Sequence, residues 1–365
     1  MHGKFHNGRF CLNIVINDTY HSQFAVDFGS NTPLQLLTTG CKDKYPICDN
    51  AVPYSPQTVP SSQICSKTRE ANSSNTDIRI GYVCNSSVNN GFIKISKMCI
   101  GGIDLQPLLT GPIFFVTKVI GAAEPAHTGF SFGSPFLTYL VTQVFKSNTN
   151  QNTPMFVLDI TKPLLQFKNM PSFNHAVIWK KWGGHSGRSI VVSSIEGTNG
   201  SVNGPFHFMI DTGNDAFLSY DKTTFSSNSG IFSSQTLKFN ILKDNTSNEN
   251  ITITFQNNHR CNKKTQQAIA MSTLDECVPY SHNVFALGFI SNFLMGFYDS
   301  MPHTSSNPTG SVFFKVQPEV TRDVSITSSS TNNTLAGIEP FSGNSYAPNN
   351  ISSDGTTFYK SSQIF

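Results

Sequence analysis

Phe24-Ala25-Val26-Asp27-Phe28-Gly29-Ser30 and Phe208-Met209-Ile210-Asp211-Thr212-Gly213-Asn214 decide how this chain is read. In each, an apolar run with strand character leads into Asp-x-Gly. The run buries the approach and the glycine permits a sharp turn, so each carboxylate is expected at a strand end. A single Asp-x-Gly is a common structural turn. Two of them, 184 residues apart behind the same kind of run, point to two similar halves that each present one aspartate. Paired carboxylates can activate water without a metal.

Outward from these turns, strand signals dominate. They fall at Phe10–Ile16, Phe24–Val26, Ile78–Tyr82, Phe92–Ile95, Ile113–Val116, Met155–Ile160, Ser189–Ile195, Phe206–Ile210, Thr236–Ile241, Ile251–Phe255 and Ser311–Val316. Most are short, rich in Val, Ile and Phe, and separated by Gly, Asn or Pro. Helix signals are few. Phe136–Phe145 behind Pro135 is the best, and Asp221–Phe225 and Ile290–Met295 read as short helical turns. The expected fold class is all-β. A polar stretch, Lys146–Pro154, divides the chain into residues 1–148 with Asp27 and residues 149–323 with Asp211. Asp244–Asn250 reads as a long hairpin tip. Residues 324–365, rich in Ser, Asn and Thr, read as a disordered tail.

Bulk properties agree with two β halves. The 365 residues exceed one ordinary core, and 38% are hydrophobic against 13% charged. With 25 Lys+Arg against 22 Asp+Glu, the charge is too balanced to argue for nucleic acid or an anionic membrane. No apolar run reaches the roughly 18 residues that a membrane span needs. Neither a metal nor a cofactor is implied, since Cys/His spacing matches no zinc site and no Gly-x-Ser-x-Gly, phosphate loop or His-Glu-x-x-His occurs. The scattered His, and Asp159, Asp215 and Asp299, read as structural or solvated. Lys180–His185 reads as an exposed loop.

The eight Cys are even in number, and six lie in the first third. They read as disulfides, with Cys41–Cys48 and Cys261–Cys277 the two expected bridges. N-glycosylation patterns begin at Asn17, Asn72, Asn85, Asn199, Asn245, Asn250, Asn332 and Asn350. Together these favour a secreted or endomembrane, lysosome-like location. Residues 1–8 carry no apolar signal core, so this reading expects a leader ahead of the sequence.

The chain resembles the pepsin-like aspartic proteases in the type, order and separation of its two Asp turns. Ile80-Gly81-Tyr82 sits where that family has its flap hairpin. Gly129-Phe130-Ser131-Phe132-Gly133-Ser134-Pro135-Phe136-Leu137 resembles the Gly-rich strand and helix start of the family's first lobe. Phe285-Ala286-Leu287-Gly288 resembles the matching element of the second, and Phe297–Phe314 resembles the closing hairpin. The Cys41–Cys84 segment resembles the extra disulfides of the plant subgroup. The resemblance runs from about Gly8 to Val316 and implies two six-stranded-type β lobes flanking a central cleft. It implies that Asp27 and Asp211 form a catalytic dyad, with Gly29, Ser30, Thr212, Gly213 and Asn214 in support. A flap at Ile80, Gly81 and Tyr82 would close over an extended peptide or protein substrate, with the enzyme a monomer.

Several positions depart from the family. Phe28 replaces the first of two hydroxyl residues that brace the turns against each other. Asn214 stands where Thr or Ser usually bonds the second Asp. Ile80 takes the flap tyrosine's place, with Tyr82 two residues on; Leu34 replaces a supporting Trp, and Ser131 a structural Gly. A loosened dyad loses rate, since a misplacement of about 1 Å can cost on the order of 10²-fold. The rival expectation is therefore a pseudoprotease that binds a protein or peptide, as the plant xylanase-inhibitor proteins do on a similar fold. A structural secreted β protein is the third.

Overall fold

The computed structural model describes residues 3–6, 9–16, 20–29, 35–37, 79–82, 86–94, 98–100, 103–104, 112–120, 131–132, 155–168, 175–180, 187–244, 249–299 and 309–329. The chain is all-β in class, and the strands among the described residues fall into two sheets. The first holds β1 (Gly3–His6), β2 (Arg9–Ile16), β3 (Tyr20–Val26), β4 (Gln35–Leu37), β5 (Arg79–Tyr82), β6 (Ser86–Lys94), β7 (Met98–Ile100), β8 (Ile103–Asp104), β9 (Pro112–Ile120) and β10 (Ser131–Phe132). The second holds β11 (Met155–Asp159), β12 (Leu164–Lys168), β13 (His175–Lys180), β14 (Ser189–Gly197), β15 (Gly200–Ile210), β16 (Leu218–Asp221), β17 (Leu237–Leu242), β18 (Asn250–Phe255), β19 (Cys277–Tyr280), β20 (Asn283–Phe285), β21 (Phe293–Asp299), β22 (Thr309–Val316) and β23 (Val324–Ser328).

One strand plan occurs twice. In the first sheet β2 pairs antiparallel with β3, β3 parallel with β10, β10 antiparallel with β4, and β4 parallel with β9. In the second, β14 pairs antiparallel with β15, β15 parallel with β20, β20 antiparallel with β16, and β16 parallel with β19. The senses match step for step. In both copies Asp-x-Gly follows the second strand, and a strand from much later in the chain inserts between the strands before and after the turn. Parallel neighbours need such long connections, which a tight hairpin cannot supply.

Side-chain alternation explains the outer strands of the second sheet. Leu237, Phe239 and Ile241 of β17 are buried, opposite Phe255, Ile253 and Ile251 of β18, while their neighbours are half-exposed. A fully buried Phe, Leu or Ile is worth about 1.5–3 kcal/mol over its exposed state. Phenylalanines carry much of this core. Phe285 stacks on Phe289 at 3.9 Å and on Phe208 at 4.4 Å, and Phe239 meets Phe285 edge-on.

Two expectations are corrected. The helical turn expected at Ile290–Met295 lies earlier: a short helix covers Leu287–Ile290 and β21 starts at Phe293. The Asn292 amide donates to the carbonyls of Gly288, Phe289 and Arg260, which closes the helix end. β21 is a central strand packed on both faces, with Phe293, Met295 and Phe297 in the main core and Tyr298 packed with Val157 and Phe313. Nor does the tail begin at residue 324. Val324–Ser328 forms β23, antiparallel to β18, with Val324 buried opposite Phe255. The expected helix Phe136–Phe145 lies outside the described residues, as do residues 245–248 of the expected hairpin tip Asp244–Asn250, whose flanks pair antiparallel as β17 and β18. Among the described residues, no helix is long and apolar enough to cross a membrane.

His175 opens β13, paired with Phe314, and its Nδ1 is buried with no hydrogen-bond partner among the described residues. Burial, and then the charge of Lys243, hold its pKa below the usual 6.5; burial also lowers that of His207. The unfolded chain thus binds protons on these rings before the folded chain does. Stability is therefore present above the unfolded value and is lost as pH falls toward the lowered folded value. The urea midpoint should drop between about pH 7.5 and 5.5, and His175→Phe should flatten part of that drop. An identical slope in the variant would refute this account.

Candidate active site

β3 delivers Asp27 and β15 delivers Asp211. The latter strand is held at its end by two backbone bonds, Ile210 N–H to the Arg188 carbonyl at 2.9 Å and Asp211 N–H to the Phe285 carbonyl at 3.1 Å. Asp27 is buried and Asp211 half-buried. Their carboxylates meet at one donor: Gly29 N–H donates to Asp27 Oδ1 and to Asp211 Oδ1, each at 3.0 Å. Gly213 N–H donates to Asp211 Oδ1 at 2.7 Å. The structure thus brings Asp27, Asp211, Gly29, Thr212 and Gly213 together.

Both glycines are required by space. A Cβ on Gly29 would lie 2.4–2.6 Å from the Asp211 carboxylate. One on Gly213 would lie 2.6 Å from Asp27 Oδ1 and 3.0 Å from Asp211 Oδ1. Each turn's glycine therefore makes room for the other turn's aspartate.

Thr212 ties the turns from beneath. Its buried Oγ1 accepts from Phe28 N–H at 3.1 Å and donates to the Val26 carbonyl. Phe28 offers its backbone to this tie, but its side chain has no hydroxyl to return a matching one. Its ring is instead fully buried, edge-on to Phe156 at 5.6 Å and to Phe297 at 5.0 Å.

Asn214 serves its own loop. Its amide donates to Ser219 Oγ at 2.9 Å, its side-chain oxygen accepts from Ala216 N–H, and its carbonyl accepts from Leu287 N–H at 2.8 Å. The last bond pins Phe285-Ala286-Leu287-Gly288 beside the second turn. Gly288 is forced there, since a Cβ would lie 2.0 Å from the Leu274 carbonyl and 2.9 Å from Phe217 Cα.

Ile80, Gly81 and Tyr82 lie in β5, a hairpin partner of β6 with Gly81 opposite Ser87; their side chains lie outside the described residues. Ser30, Cys41 and Cys48 also lie outside them. The expected Cys261–Cys277 bridge is not formed, and both thiols are free. Cys261 Sγ sits 3.4 Å from Ser291 Oγ and 3.4 Å from the Asn262 carbonyl, while Cys277 lies against the Arg260 guanidinium. Burial pushes these thiols up to about 11 and about 12. A disulfide forms through the thiolate, which such surroundings suppress. Burial likewise lowers the Arg260 pKa, opposed by Cys277.

Residues beyond the motif also shape the site. Gly187 passes under it, where a Cβ would lie 2.4 Å from Met209 and 3.3 Å from the Phe28 carbonyl. Arg188, fully buried, places its guanidinium over the rings of Phe156, Trp179, Phe297 and Phe28 at 5.0–5.7 Å. Nothing in the sequence marks Arg188, because an arginine ahead of a strand is usually solvated. Among the described residues, no three His, Cys, Asp or Glu side chains cluster as a metal site would need. The chain matches no protein-family model, and no curated protein matches it in sequence.

Removing the Thr212 hydroxyl takes a hydrogen-bond partner from the buried Phe28 N–H and from the Val26 carbonyl. Each loss costs about 1–3 kcal/mol. Thr212→Val should therefore lose about 2–4 kcal/mol in urea denaturation and Thr212→Ser much less; equal losses would exclude the tie. Gly288→Ala, driven into backbone, should lose about 3 kcal/mol or fail to fold. A near-neutral alanine there would contradict the packing.

Proposed function

We propose that this chain is a pepsin-like aspartic endopeptidase that hydrolyses peptide bonds with Asp27 and Asp211. The reading rests on the meeting of one carboxylate oxygen from each Asp turn at a single N–H. The doubled strand plan supports it, since both aspartates then leave equivalent strands. On this reading residues 1–148 and 149–323 form two lobes about a cleft, and the second lobe takes in β23 as well. The substrate is an extended peptide or protein segment in that cleft, bound like an added strand under the β5–β6 hairpin. The sequons favour a secreted or endomembrane setting.

Two carboxylates this close do not both ionise at low cost, so the pair shares a proton. The ionised member takes a proton from a water between them. That water attacks the peptide carbonyl while the protonated member donates to the carbonyl oxygen. The Gly29 and Gly213 amides orient the carboxylates without a competing proton of their own to lose. Cleavage is then expected at acidic pH, where one proton stays on the pair.

The one-sided tie at Thr212 favours a second reading, a relative that binds peptides and cleaves slowly or not at all. One assay separates the two. Purified protein should cleave an unfolded substrate at about pH 4, and a statine-type peptide should block it. Asp211→Ala should lower kcat by about 10³-fold or more. Folded wild-type protein that binds the statine peptide without cleaving favours the second reading. One that neither binds nor cleaves ends both.

A further inference from the structure

We infer that Phe28, seated on Phe156, Phe297 and Arg188, is a positioning residue that replaces the missing hydroxyl brace of the first Asp turn. The inference rests on the aspartic-protease reading for its kinetic consequence, but not for its geometry. The turn of Asp27 can be held from one side by Thr212, which takes the Phe28 N–H and the Val26 carbonyl. The Phe28 side chain offers a second hold, as a fully buried ring. Phe156 and Phe297 stack on each other at 4.9 Å, and the Phe28 ring stands nearly perpendicular to both. Edge-to-face pairs are directional, so the ring is held in orientation as well as place.

Arg188 joins the two turns. Its guanidinium lies over Phe28 and three further rings, a stacking suited to the planar arginine head. Its carbonyl accepts the Ile210 N–H, one residue before Asp211. One residue thus touches the neighbour of Asp27 with its side chain and the neighbour of Asp211 with its backbone. Gly187 lets this strap run close beneath, near the Phe28 carbonyl and Met209. A shift of the ring would move Gly29, whose N–H faces both carboxylates.

The test compares Phe28→Leu, which stays apolar but loses the edge contacts, with Phe28→Thr, which supplies a hydroxyl. Two readouts are used: steady-state kinetics on an unfolded substrate, and hydrogen exchange of the Gly29 amide by NMR. Phe28→Leu should lower kcat about tenfold with KM within about twofold. It should also speed Gly29 exchange about tenfold. Phe28→Thr should keep both near wild type, because its hydroxyl supplies directly the brace that the ring stands in for. Should Phe28→Leu fail to fold, Arg188→Lys keeps the charge but not the planar stack, and it should move both readouts the same way. Unchanged Gly29 exchange in Phe28→Leu overturns the inference, as does a Phe28→Thr protein as impaired as Phe28→Leu. If wild type cleaves nothing, the exchange pattern decides alone: faster in Leu and normal in Thr upholds the strap, while the proteolytic reading falls.

Discussion

The amide hydrogen of Gly29 faces an oxygen from each of two aspartates that are far apart in sequence. Bringing two like-charged groups to one donor is unfavourable unless the surroundings over-determine it. Much of the described structure does that work. The strand behind each aspartate is gripped on both edges, on one by the preceding hairpin strand and on the other by a parallel strand from much later in the chain. The two glycines remove the side chains that would keep the turns apart. Thr212 then locks the turns together where water cannot compete.

Aromatic packing extends this constraint outward. The Phe28 ring is continuous with the main core through Phe156 and Phe297, which belong to the central strands β11 and β21. The second turn is backed by Phe285, which pairs with Leu218 and stacks on Phe208 and Phe289. Close-packed interiors transmit displacement instead of absorbing it. The two turns therefore report on packing well beyond their own residues.

Period-two strands were legible in the sequence, since β17, β18 and the approach strands present one buried and one wetter face or a short apolar run. β21 was not, because a strand buried on both faces shows no alternation and resembles a helical segment. β23 was hidden by its Ser and Thr, whose strand character comes from pairing with β18. At the site, the Asp-x-Gly motif carried the carboxylates and the glycines. It did not foretell that the Asn214 amide bonds Ser219, and the even Cys count misdirected on Cys261 and Cys277, since it says nothing of their neighbours. The seat of Phe28 was invisible, because Phe156 and Phe297 are more than a hundred residues away and no periodicity links them.

The two copies of one strand plan differ inside their turns, with Phe28 in one where Thr212 stands in the other. In an assembly of two identical chains, any replacement would strike both turns at once, and two phenylalanines would leave no hydroxyl to hold either. Joined covalently, one turn can carry a ring while its counterpart keeps the hydroxyl. The lopsided turn pair is thus a liberty that comes with having both halves on one polypeptide.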